Sequence, residues 1–108
     1  MIDFDYSADE IGISVEAYKK LCALFLTAME EDTSGLRDAL ESEDTGEIRR
    51  RAHHIKGAAA NLEFTVLSLK AEELQNAALK ENIELLRSVA ENLYTEYRKI
   101  KTELKDKL

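Results

Sequence analysis

The side chains best suited to chemistry lie in one run, Arg49-Arg50-Arg51-Ala52-His53-His54-Ile55-Lys56-Gly57-Ala58-Ala59-Ala60-Asn61, which holds both histidines and a basic cluster in an otherwise acidic chain. Ile48, Ala52, Ile55, Ala59 and Leu62 recur through it at spacings of four and three, the pattern of a helix with one buried stripe. With Ile55 at the centre of that stripe, a turn of about 100° per residue swings His53 roughly 160° away from the core, with Arg49, Lys56, Gly57 and Ala60 beside it. Lys56 follows His53 by three residues, a spacing that brings two side chains together on a helix surface. A cation there disfavours protonated imidazole and favours an anionic group attached to it, so the site suits a neutral nucleophile that becomes a phosphohistidine. Arg49 adds to the same field. Glycine in a helix interior costs about 1 kcal/mol relative to alanine. Alanine is used freely at 58–60, so Gly57 predicts close approach of a partner. His54 projects about 100° from His53 and reads as a solvated neighbour.

Other chemistries find no support. Cys22 is the only cysteine, which excludes an intrachain disulfide and a thiolate zinc or iron-sulfur site. Its spacing with Phe25 and Met29 is that of core packing. Gly12, Gly35, Gly46 and Gly57 are scattered, so the chain has neither a P-loop nor a Gly-rich lid over ATP. No Glu precedes either histidine by three residues, and no metal site is expected.

These side chains need helices to position them. Proline is absent and aromatics are 6% of the residues, while Leu, Ala, Glu and Lys recur, a mix that favours helix. Tyr18, Leu21, Cys22, Phe25, Ala28, Met29, Leu36, Ala39 and Leu40 predict one long helix from an N-cap at Ser14 to about Ser42, with a bend or break at Gly35 as the alternative. Asp44-Thr45-Gly46-Glu47 has the form of a capping box that starts the histidine helix, which ends near Glu63. Val66, Leu67, Leu69, Leu74, Ala77 and Ala78 mark a third helix, and Lys80-Glu81-Asn82 a polar turn after it. Ile83, Leu86, Val89, Leu93, Tyr97, Ile100 and Leu104 make a last stripe long enough to overhang the others. The expected fold is all-α: an up-and-down antiparallel four-helix bundle, with a short N-terminal helical cap around Phe4, Tyr6 and Ile11. Such bundles serve many functions, so function must come from the site.

Length and charge bound the rest. The 108 residues leave room for one domain, 1–108, and 44% hydrophobic with 34% charged residues describes a chain that folds around one core. The net charge of −7 argues against nucleic acid as a partner. The acidic first ten residues are the wrong chemistry for a signal peptide, and no apolar run suits a membrane span. A reducing cytoplasm is the simplest location.

Ala52-His53-His54-Ile55-Lys56-Gly57 resembles the A-H-x-[IL]-K-G motif of histidine-containing phosphotransfer (HPt) domains of two-component phosphorelays. The likeness extends to Gly12-Ile13, Tyr18, Leu21 and Phe25, to Leu36 and Leu40, and to the region of Leu74, and so covers most of the chain. It departs from the family at Glu63, where many members have Gly. The histidine-kinase bundle is a poorer likeness, since its motif has an acidic residue after the His and a Pro soon after. The resemblance implies that His53 takes a phosphoryl group from one receiver-domain aspartate and gives it to another, without autonomous kinase or ATPase activity. Lys56 would stabilise the phosphoryl charge, Gly57 would leave room for the receiver's loops, and Gln75 would hydrogen-bond the other imidazole nitrogen. Arg49, Arg50 and Arg51 read equally as steering charges toward an acidic receiver site or as solvated balance for nearby Glu. No cofactor is expected on this domain, with Mg²⁺ held by the receiver. The expected partners of a monomer are response-regulator receiver domains and a hybrid histidine kinase. Two alternatives stand: a helical module that docks a receiver without carrying phosphate, and the phosphate-accepting module of a larger histidine kinase.

Overall fold

Polar side chains stop and start the chain at the points where its hydrophobic pattern breaks. Asp3, Ser14, Asp44 and Asn82 each accept a hydrogen bond from the backbone N–H three residues on, at 3.0, 3.1, 3.1 and 3.2 Å. In the computed structural model, which describes residues 1–108, they open α1 (Phe4–Ile11), α2 (Val15–Glu41), α3 (Thr45–Asn61) and α5 (Ile83–Lys107). The remaining helix, α4 (Thr65–Ala77), begins without a side-chain cap and runs into a 3₁₀ turn at Ala78–Lys80. Asp44 caps as a capping box requires, but Glu47 does not reach back to it. Its carboxylate turns instead to Arg50 and Arg51, because two guanidinium groups bind a carboxylate more strongly than one backbone amide does.

The turns after α2 and α3 are built alike. Glu43 and Glu63 take left-handed backbone conformations, with φ of 55° and 66°. Asp44 N–H then donates to Ala39 O and Phe64 N–H to Ala59 O, both at 2.9 Å, satisfying carbonyls that the helix ends leave open. The departure at Glu63 therefore leaves the turn geometry intact, with glutamate in a conformation that glycine adopts more cheaply.

Contacts between helices fix an antiparallel order. Tyr18 hydroxyl donates to Leu62 O at 2.6 Å and Arg51 to Asp32 at 3.0 Å, so α2 and α3 run in opposite directions. Ser68 meets Lys56 and Gln75 meets His53 across α3 and α4, while Arg87 meets Leu40 and Tyr97 meets Glu30 across α2 and α5. The result is a four-helix bundle of α2–α5 with α1 across one end, 42 Å long and about 20 Å wide. The core is filled by Tyr18, Cys22, Met29 and Leu36 from α2, Ile48 and Ile55 from α3, Leu67 and Leu74 from α4, and Leu86, Leu93 and Leu104 from α5.

Several expected core positions face solvent instead. Leu21 and Ala28 lie on the exposed edge of α2, Val66 and Leu69 on that of α4, and Tyr6 points out of the cap while Ser7 and Ala8 are buried. In α4 the buried stripe is Leu67, Ala71, Leu74 and Ala77, so the apolar residues beside it have no helix left to cover them. The buried Thr33 donates to Met29 O at 2.7 Å, which is how a hydroxyl sits in the core without an unmet hydrogen bond. The last turns of α5 do not project alone. Ile2 N–H donates to Glu103 at 2.6 Å, Lys107 donates to Ile2 O at 2.7 Å, and Phe4 packs edge-on against Tyr18.

Candidate functional site

His53 stands on the exposed face of α3, as the stripe through Ile55 requires. Its Nδ1 lies 3.3 Å from the amide Nε2 of Gln75 on α4, which leaves the ring's Nε2 as the free nitrogen. The other end of that amide, Gln75 Oε1, is buried without a partner. An amide that donates to Nδ1 selects the imidazole tautomer with its proton on Nε2. A half-turn of the amide makes Oε1 the acceptor for Nδ1–H and leaves the lone pair on Nε2. Gln75 can thus hold either tautomer, and the one with its lone pair on Nε2 gives Oε1 its missing partner.

Two further α4 side chains reach α3 on the same edge. Ser68 Oγ donates to Lys56 O at 3.1 Å, and Lys56 Nζ lies 3.3 Å from a carboxylate oxygen of Glu72. Ser68, Glu72 and Gln75 are spaced by four and three, so one stripe of α4 lies along the Lys56–His53 edge of α3. Sequence periodicity gives no sign of Ser68 or Glu72, because both are polar residues on a helix edge like many others.

The arginines divide. Arg50 binds Glu47 through two hydrogen bonds of 2.7 Å, and Arg51, mostly buried, bridges Glu47 and Asp32. The Arg50 guanidinium, and after it that of Arg51, holds the Glu47 carboxyl down at about 2, and the arginines are raised in return. Asp32 also lies 3.8 Å from Nδ1 of His54, an exposed ring that sits toward α2. Among the cations of α3, Arg49 alone has no carboxylate within 4.0 Å. It lines an open depression of about 370 Å³ with Gly46, Arg50, His53 and Gln75. His53 therefore lies between an unpaired cation one turn before it and a paired one, Lys56, nearly a turn after it.

The glycines of α2 and α3 have different reasons. Gly35 lies under the Arg51 guanidinium, so α2 runs through it unbroken and its missing side chain makes room for that group. Nothing within 4 Å would meet a Cβ at Gly57. No contact inside this chain requires glycine there, and the space it opens faces outward. Ala60 is exposed beyond it, and the register set by Arg51–Asp32 and Tyr18–Leu62 brings Leu24 and Leu21 of α2 level with Gly57 and Ala60. Those leucines are 66% and 41% exposed, so apolar side chains stand open to solvent level with Gly57 and Ala60.

No group of three or more His, Cys, Asp or Glu side chains converges as a metal site would require, and no helix is long and apolar enough to cross a membrane. A family model described as Hpt domain matches residues 20–106. Comparison with curated proteins and with solved structures gives no match.

Proposed function

The chain belongs to the Hpt domain family, with a phosphotransfer role in two-component signalling, and from that premise we propose that His53 is the phosphoryl carrier between receiver-domain aspartates. The observation that carries the reading is an exposed imidazole with Nδ1 held by Gln75 and Nε2 open. In the forward step, the lone pair on Nε2 attacks the phosphorus of an aspartyl phosphate in line with the bond that breaks. A P–N bond forms, the P–O bond to aspartate breaks, and aspartate leaves as carboxylate. The Nδ1 proton, shared with Gln75 Oε1, stays on the ring until solvent removes it, and transfer to a second receiver reverses these events.

This chain supplies position and field. Arg49 and Lys56 flank the transferred group, Gly57 and Ala60 leave the floor clear for the receiver's loops, and Leu21 and Leu24 offer apolar contact beside it. Arg50, bound to Glu47, contributes shape to the depression more than free charge. Mg²⁺ belongs to the receiver in this scheme, and the domain acts as a monomer between the receiver of a hybrid histidine kinase and that of a response regulator. The test is transfer from a phosphorylated receiver with Mg²⁺, read by mass spectrometry under non-acidic conditions. Acid-labile phosphate on His53, absent from His53→Gln, is the expected result. Receiver binding across several donors with no phosphate on the protein would replace this reading with that of a docking module.

A further inference from the structure

Lys56 is committed to a carboxylate before any phosphoryl group arrives. Its ammonium lies 3.3 Å from Glu72, both side chains are partly open to solvent, and its backbone carbonyl is pinned to α4 by Ser68. Glu72 is nearly one turn before Gln75 on the same stripe of α4, so the helix that meets the imidazole also sets a negative charge against Lys56. A phosphoryl group on Nε2 carries nearly two negative charges at neutral pH. It must draw Lys56 away from Glu72 or remain underneutralised, and Glu72 repels it in either case.

We propose that Glu72 is a positioning residue that competes with the phosphoryl group for Lys56 and so weakens the hold of His53 on its phosphate. This rests on the phosphohistidine reading and deepens it. A carrier that must give up its phosphate as readily as it accepts it needs a limit on how strongly the bound form is stabilised, and a carboxylate paired to the stabilising cation sets one. Arg49, which has no carboxylate partner, supplies attraction that does not have to be won from an anion.

The experiment compares the full chain with Glu72→Gln and Glu72→Asp, each phosphorylated with potassium phosphoramidate, a small-molecule donor to imidazole nitrogen that needs no receiver. Two quantities are read: the pH at which the phosphoryl group loses its last proton, by phosphorus NMR, and the distribution of phosphate between His53 and a receiver aspartate. With solvent-accessible charges, removing the carboxylate is expected to shift the distribution toward His53 by about three- to tenfold at low salt. The last proton should leave at a pH lower by about half a unit or more, the same factor expressed as a titration. Glu72→Asp should behave as the parent, and 1 M salt should erase most of the difference. No change in Glu72→Gln, a shift toward the receiver, or a shift of equal size in 1 M salt would overturn the proposal, the last by revealing a packing effect. If phosphoramidate labels His53 but no receiver does, the relay reading fails while the titration still decides the role of Glu72. Absence of labelling by either donor would overturn both, since each requires an accessible Nε2.

Discussion

Replacing Gly35 by alanine sets helix propensity against one tertiary contact, and the structure decides the sign. In an isolated helix the change stabilises by about 1 kcal/mol. In this fold an added Cβ would lie 2.6 Å from Nε and 2.7 Å from Nη2 of Arg51, well inside van der Waals contact. The guanidinium is the mobile end of a side chain, but it is tied to Asp32 at 3.0 Å and Glu47 at 2.9 Å, with Arg51 17% and Asp32 14% exposed. Moving it breaks at least the bond to Asp32. A hydrogen bond between charged groups in such a setting contributes about 1.5–3 kcal/mol. The net expectation is destabilisation by about 1 kcal/mol, a fall in melting temperature of roughly 4 °C for a domain of this size. In an Arg51→Ala background the obstacle is gone, and Gly35→Ala should stabilise by about 1 kcal/mol. A double-mutant cycle by urea unfolding therefore gives a coupling of about 2 kcal/mol with a change of sign between backgrounds. If Gly35→Ala stabilises both backgrounds equally, Arg51 does not occupy the space over Gly35, and the account of how α2 and α3 are locked beneath the His53 face is wrong.

Gln75→Leu should leave the unfolding midpoint within error and slow single-turnover transfer to His53 by roughly tenfold, the worth of about one lost hydrogen bond to the ring; equal rates would remove Gln75 from the mechanism. Glu47 titrates at about 2 in the folded protein, below its ordinary value, so its pairing with Arg50 and Arg51 stabilises fully above pH 4.5. That stabilisation should fade as pH falls from about 4.5 to about 2, seen as a dropping urea midpoint that Glu47→Gln flattens and 1 M salt weakens.

What the sequence by itself determined is what depends on near neighbours along the chain. Spacings of three and four, the caps at Ser14 and Asp44, and the polar break at 80–82 define four long helices, because helix formation couples residues within a turn of one another. The same locality turns His53 out of the core once Ile55 is in it, and lays Lys56, Gly57 and Arg49 around it. The placement of His53 on an exposed helix face, among those neighbours, was legible for that reason. Only the tertiary structure decided what crosses from one helix to another, because the rotation and register of two packed helices are set by the whole core and not by either helix alone. Val66, Leu69 and Leu21 have the right type for burial and lie on edges that no neighbour covers. Gly35 reads as a point of weakness in α2 until Arg51, sixteen residues away on α3, is seen lying over it. In the sequence only the family resemblance marks Gln75, and nothing marks Glu72. Packing brings both to one edge of α3, Gln75 against the imidazole of His53 and Glu72 against the ammonium of Lys56.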